Sequence, residues 1–324
     1  MVLRVLLLFF VGFQPVHASQ TTYSATLDND SFFWADQNYT GGFFLSVDIA
    51  DNNWFDRHLE YDNPADLEMD REGAWEGVKF GLSQMIWTPQ YLGMAVPLPE
   101  DRPYSGALTF DFSGFRLTET TALKMSFHVG VSGPNSGADR MQQFIHHVLD
   151  NTEPAGWDTQ TAHAWVVDAE AEWQQRAYRY GDQLDVTFGA NARFGSFWRK
   201  AGVAVMARFS DDLPRLTGSQ GYNKGKYVDP SSLTSGKGHF LFLFAEAHHQ
   251  FYDQTVQGTL SGSSSAVSLR KERYSAGAGV VWYRPRWGVS ASVIYTVPDY
   301  KEDWNDRYAF GSLTLFWRQH NHHD

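Results

Sequence analysis

The chain has 324 residues, no cysteine and a formal net charge of −11. Without cysteine it cannot be a disulfide scaffold, and its acidic balance argues against a nucleic-acid partner, which needs a basic surface. Aromatic residues reach 16% while mean hydropathy is −0.40, a combination that suits strands turning apolar side chains to lipid and polar ones to a lumen.

The first element begins at Arg4, continues through an apolar run from Val5 to Phe13, and ends in Val16-His17-Ala18-Ser19. A basic start, a short apolar run and a small-x-small site read as a signal peptide over residues 1–18, cleaved after Ala18. The run is too short for a spanning helix, which needs about 20 residues. Residues 19–324 are expected to form a single outer-membrane barrel domain.

Period-2 alternation follows. Within 39–50, Phe43, Leu45, Val47 and Ile49 share a face, with Ser46 and Asp48 on the other. Within 77–87 the apolar face is Val78, Phe80, Leu82 and Ile86, interrupted by Gln84. In 121–133, Leu123, Met125, Phe127 and Val129 oppose Lys124, Ser126 and His128. Later, Trp165, Val167, Ala169, Ala171 and Trp173 oppose Asp168, Glu170 and Glu172. Charges at alternate positions are hard to bury in a soluble sandwich and natural in a barrel with a wet interior.

Such segments start near Tyr23, Tyr39, Gly77, Tyr104, Thr121, Ala162, Gln183, Arg199, His239, Val267, Trp287 and Arg307. The pattern predicts an all-β fold, a transmembrane antiparallel up-and-down β-barrel of about 12 strands. The last segment closes on the aromatic pair Phe316-Trp317. His320, His322 and His323 follow it in a polar tail, read as solvated. With the N-terminus in the periplasm, connections after odd strands face the exterior: 28–38, 88–103, 133–160, one near 197, 256–266 and 298–306. Two even-side connections, 51–75 and 211–238, exceed the usual periplasmic turn.

Three odd-side loops carry the chemistry-bearing residues. Asp28-Asn29-Asp30-Ser31 clusters oxygens that suit a hard cation or an Asx turn. Arg102 could grip a phosphate or pair with Asp101 or Glu100. In the third loop, Ser136 and Asp139 have capping-box spacing, and Met141, Phe144, Ile145, Val148 and Leu149 follow helical spacing. This predicts a short amphipathic α-helix in an extracellular loop. His146 lies beside its stripe, as a general base or as an ordinary surface histidine.

Taken in order, Asn29-Asp30-Ser31-Phe32, Tyr39-Thr40-Gly41-Gly42, Gln84-Met85-Ile86-Trp87-Thr88-Pro89, Asp101-Arg102-Pro103-Tyr104-Ser105-Gly106, Gly130-Val131-Ser132-Gly133-Pro134, Gln142-Gln143-Phe144-Ile145-His146 and Pro154-Ala155-Gly156-Trp157 resemble the outer-membrane lipid A 3′-O-deacylase family. Similarity is densest over residues 22–160. The resemblance implies a twelve-stranded barrel whose site lies between the barrel wall and a loop helix. It implies Ca²⁺-dependent hydrolysis of the 3′-linked acyloxyacyl ester of lipid A. By resemblance the histidine maps onto His146, the Asn-Asp pair onto Asn29-Asp30, and the Tyr-Thr pair onto Tyr39-Thr40. Some members carry a basic pair in the second loop. Here Arg102 is the only basic residue between Thr88 and Pro103, so phosphate anchoring is either weaker or supplied by Arg102, Lys79 or Arg140.

The expected site therefore has His146, Asn29 and Thr40 as catalytic residues, Arg102 and Tyr39 as substrate contacts, and Asp30 as ligand of Ca²⁺. Lipopolysaccharide and outer-membrane lipids are the expected partners, the chain is expected to be monomeric, and the site is expected to face the cell exterior. A serine nucleophile is not expected, because no Gly-x-Ser-x-Gly elbow occurs. Two alternatives are a phospholipase-type barrel esterase and a non-enzymatic porin or scaffold.

Overall fold

The computed structural model describes residues 20–30, 38–52, 54, 74–218, 224–225, 227–234, 236–260, 262 and 265–320. The expected signal peptide, residues 31–37 and the tail histidines His322 and His323 lie outside them. Twelve antiparallel strands close into one barrel, each hydrogen-bonded to its neighbours in sequence, with β1 joining β12. They are β1 (Gln20–Asn29), β2 (Asn38–Asn52), β3 (Trp75–Thr88), β4 (Ser105–Leu117), β5 (Thr121–Ser132), β6 (Ala164–Tyr180), β7 (Leu184–Gly195), β8 (Trp198–Phe209), β9 (Gly238–Asp253), β10 (Glu272–Tyr283), β11 (Trp287–Thr296) and β12 (Tyr308–His320). Closure runs in register from Gln20↔His320 to Asn29↔Gly311, so neither edge is left unpaired. The tenth strand differs most from expectation. It begins at Glu272, because Val267 packs instead in a loop cluster with Val256, Leu269 and Tyr300.

The outward faces expose Phe110, Phe112, Phe127, Val129, Val203, Leu241 and Leu243, as a lipid-facing band requires. Trp165, Phe194, Phe251 and Tyr295 ring one end of that band, and Tyr180, Trp282, Trp287 and Trp317 ring the other. Such aromatic girdles mark the two membrane interfaces. No helix among the described residues is long and apolar enough to cross a membrane.

The inward faces carry charge in matched sets. Lys124 meets Glu172 at 2.9 Å, Arg193 meets Asp168 at 2.8 Å, and His128 lies between Asp111 at 2.7 Å and Glu170 at 3.1 Å. Pairing of this kind is what makes buried charge tolerable.

The lumen is also filled from one end. The long connection between β8 and β9 starts at the end opposite the β5–β6 loop, and its described residues fold up into the barrel. Asp229 takes Lys79 at 3.0 Å, and the Tyr227 ring stacks on Phe244 at 5.5 Å. The Gly225 N–H donates to Asp28 Oδ2 at 2.7 Å. Gly225 has a φ of +70°, and a Cβ there would lie 2.2 Å from the Phe44 ring, so only glycine fits this close approach. The Lys224 ammonium sits 4.3 Å from the Tyr39 ring and 4.0 Å from Asp299, which lies in the β11–β12 loop. The described residues of this connection, too long for a simple turn, thus reach the β11–β12 loop at the other end of the lumen. Burial pushes the Lys224 ammonium down to about 8, against the pull of Asp299. Burial would raise the Asp299 carboxyl, but Arg273, Lys224 and Arg102 hold it well below the usual carboxylate range.

Candidate active site

Helix α1 (Ala138–Leu149) forms part of the β5–β6 connection. Its start differs from the expected capping box. The N-cap is Gly137, in the left-handed region at φ 69°, and makes no side-chain cap. Ser136 belongs to the preceding 3-10 turn, where its hydroxyl donates to the Gly133 carbonyl at 2.7 Å. Gly106 on β4 lets the helix close on the wall, since a Cβ there would lie 2.2 Å from the Ala138 Cβ. The helix packs on the outside of the barrel. Ala138, Met141, Gln142, Ile145 and His146 turn toward the wall, while Phe144 is 55% exposed. The expected stripe is therefore rotated, and His146 lies within the wall-facing side.

Between α1 and the wall lies an open cleft. Its lining includes Leu27 and Asn29 of β1, Thr40 to Phe43 of β2, Gln84 and Ile86 of β3, Met141, Gln142, Ile145 and His146 of α1, and Asn151. Asn29 pairs with Gly41, and alternation puts both on the lipid side of the barrel. Thr40 arrives there through a bulge: Tyr39 pairs with Trp87 and Gly41 with Ile86, leaving Thr40 as the extra residue. A bulge re-aims one side chain in this way. The Thr40 hydroxyl then meets the Thr88 hydroxyl.

His146 is 4% exposed. Its Nδ1 lies 2.6 Å from the Thr152 carbonyl. A carbonyl only accepts, so Nδ1 carries the proton and Nε2 the lone pair. On the Nε2 side stands the Gln142 amide nitrogen at 3.5 Å, and Gln142 Oε1 accepts from Trp157 Nε1–H at 2.8 Å. The carbonyl, the glutamine and the indole hold the imidazole plane. Among the described residues two non-glycines have positive φ, Asn38 at 63° and Asp150 at 55°. Asn38 opens β2 beside the cleft and Asp150 caps α1, so both strained positions flank the site.

Three expected site residues meet here: His146, Asn29 and Thr40. Tyr39, the expected substrate contact, does not line the cleft. It is wholly buried on the lumen side, its hydroxyl donating to Asp28 Oδ2 at 3.0 Å and its ring edge-on to Phe310. The bulge that turns Thr40 outward leaves Tyr39 inward. Arg102, the other expected substrate contact, does not line it either. It is wholly buried, donating to Asp299 Oδ2 at 3.1 Å and Thr255 Oγ1 at 2.9 Å, and so ties three loops together. Lys79 points into the lumen, between Asp48 and Asp229, whereas Arg140 is exposed on α1. Asp30 is wholly buried outside the cleft lining, its N–H donating to the Thr40 carbonyl at 3.2 Å. Gln142, Gln84, Asn151 and Trp157 are additions. The i−4 spacing of Gln142 from His146, and the break Gln84 makes in an apolar face, were signals available in the sequence.

The donors at the cleft, Asn29, Thr40 and Asn151, offer amide and hydroxyl oxygens, the type a hard divalent cation takes, and Asp30 is the carboxylate next in sequence to Asn29. No group of three or more His, Cys, Asp or Glu among the described residues could hold a metal, so such an ion would rely on neutral oxygens beside one carboxylate.

The sequence matches the family model of outer membrane protein LpxR over residues 3–319. The chain belongs to the LpxR family. Among solved structures it is similar to LpxR from Salmonella typhimurium, with 15% identity, a TM-score of 0.74, and coverage of 91% of this chain and 99% of that one. At that identity the likeness speaks for the fold, the twelve-stranded LpxR barrel. The β domain of the Bordetella autotransporter BrkA, at 10% identity, and the KdgM porin, at 5%, have TM-scores of 0.40 and 0.36. They cover 93% of this chain and 98% and 99% of their own, and are too distant in shape to inform the site. No curated protein sequence matches the chain significantly. As an LpxR-family protein, the chain is a barrel of the outer membrane.

Proposed function

We propose that this protein is an esterase that removes the 3′-O-linked acyloxyacyl chain of lipid A in the outer leaflet. The observation that carries this reading is the position of His146. It faces the lipid-side wall of the barrel together with Asn29 and Thr40, in a cleft bordered by Leu27, Phe43, Ile86, Met141 and Ile145. A substrate whose tails lie in the bilayer reaches such a cleft from the side. With residues 1–18 as export signal and both strand termini in the periplasm, the α1 end faces the exterior, where lipid A resides.

His146 Nε2 takes a proton from water as that water attacks the ester carbonyl, and the intermediate then collapses by breaking the bond to the sugar 3′ oxygen, which leaves as the alcohol with the proton that His146 returns to it. The Thr152 carbonyl, already accepting from Nδ1–H, stabilises the imidazolium that forms. Asn29 donates to the developing oxyanion, and Thr40 orients the water. Arg140 is the exposed cation available to a lipid A phosphate. Ca²⁺ would be held at the cleft by the oxygens of Asn29 and Thr40, with Asp30 the carboxylate next in sequence to Asn29, and when bound would supply a Lewis acid for the ester carbonyl.

The test is mass spectrometry of lipid A from cells expressing the wild type and His146→Ala, with and without a calcium chelator. Loss of one 3′-acyloxyacyl group, abolished by the substitution and by chelation, is expected. Intact lipid A alongside fatty-acid release from glycerophospholipids would favour the phospholipase reading instead.

A further inference from the structure

The outward row of β3 below the site is Val78, Phe80 and Leu82, and it continues upward as Gln84 and Ile86. An amide in a lipid-facing row needs a reason, since hydrocarbon offers it no partner. Gln84 is 8% exposed, lines the cleft beside His146 and Asn29, and its Nε2 has no hydrogen-bond partner among the described residues. Its depth is set by register. Asn29, Gly41 and Ile86 form one row across β1, β2 and β3; Leu27, Phe43 and Gln84 form the next row inward. One pleat, two residues or roughly 7 Å along the strand, thus separates Gln84 from the level of Asn29.

We infer that Gln84 is a specificity-determining residue whose amide donates to the oxygen on the β-carbon of the bound acyl chain. This rests on the deacylase reading above. When the ester carbonyl lies at the level of Asn29 and the tail runs down the wall, the β-carbon is the first tail atom bearing an oxygen, and it lies on the bilayer side of the ester. Leu27 and Phe43 flank that position with carbon only. An acyl chain with a β-acyloxy or β-hydroxyl oxygen fills the hydrogen bond that Gln84 holds open. A plain chain leaves the amide buried and unpaired, and sites built for a hydrogen bond discriminate against ligands lacking the partner.

The experiment compares kcat/KM of the refolded full barrel on two synthetic glucosamine 3-O-acyl esters in detergent. One carries a tetradecanoyl chain and the other a 3-hydroxytetradecanoyl chain. Wild type should prefer the hydroxylated ester by about tenfold or more. Gln84→Met, close in shape but without the donor, should lose that preference, with kcat/KM falling about tenfold further on the hydroxylated ester than on the plain one. Its thermal stability should be unreduced, because an unpaired buried amide is replaced by an apolar group. Gln84→Leu serves equally if the methionine variant fails to fold. A preference that survives both substitutions, or a wild type without preference, overturns the inference. Equal loss on both esters would show a structural role and also overturn it. A wild type that cleaves neither ester and leaves lipid A intact removes the deacylase reading itself, a separate outcome.

Discussion

Two buried histidines mark the difference between the inside and the outside of this barrel. His128 in the lumen is 1% exposed and lies between two carboxylates, Asp111 and Glu170. On partners alone it resembles a catalytic dyad more closely than His146, which is 4% exposed with one ring nitrogen on a backbone carbonyl. Their surroundings separate them. His128 belongs to a network of ion pairs enclosed by the wall, and Asp111 also accepts from Ser83 and Thr109. His146 stands at a cleft that opens on the lipid side. Burial and carboxylate partners suffice to build a stable interior; a site also requires a path for substrate.

Five substitutions test that contrast. The largest effect is expected from His146→Ala, a loss of roughly 10²–10⁴ in deacylation rate, with barrel folding unchanged by heat-modifiable gel mobility. Residual activity near wild type would remove His146 from the mechanism. His128→Ala should do the reverse. The rate should stay within about twofold once the barrel is folded, while denaturant stability drops by about 3 kcal/mol as two carboxylates lose their buried partner. Next comes Gly106→Val, which pushes Ala138 away from β4. A displacement of about 1 Å at the helix should cost on the order of 10²-fold in kcat, and a crystal structure of the variant would show α1 moved outward.

Smaller still is Trp157→Phe, which deletes the N–H that fixes Gln142. Loss of one neutral hydrogen bond predicts a roughly 3- to 10-fold fall in kcat with KM little changed. An unaltered kcat would show that Gln142 does not need its indole partner. The smallest effect is a pH dependence of stability in the lumen. Lys224 titrates near 8 when folded and in the ordinary lysine range when unfolded. Between those values the unfolded chain binds more protons, so stability should rise as pH climbs through about 8 toward 10. Denaturation midpoints across that window measure the rise, and Lys224→Met should flatten it.

Much of the fold was legible because strand alternation is local. Trp165, Val167 and Trp173 against Asp168, Glu170 and Glu172 need only period 2 to declare two solvents on two faces. The amphipathic helix was legible for the same reason, though its rotation was not. Phe144 faces outward and Gln142 inward, because the helix meets a wall whose shape Gly106 and β4 define. Motif order brought Asn29, Thr40 and His146 into view, and registers then placed them at one cleft. The same motifs misplaced Tyr39, since a bulge inverts the face of its neighbour without leaving a mark in local pattern. The burial of Arg102 has no local signal, because its partners, Asp299 and Thr255, come from loops far along the chain.

The sequence by itself determined a membrane barrel, its strand boundaries to within a few residues for most strands, and the presence of a helix after β5. Each rests on interactions that repeat at short separation. It took the fold to show that described residues of the β8–β9 connection enter the lumen, that Arg102 fastens loops, and that Gln84 and Gln142 join His146. Those outcomes depend on contacts across the closed barrel, where register and burial, set by all twelve strands together, determine which side chains meet.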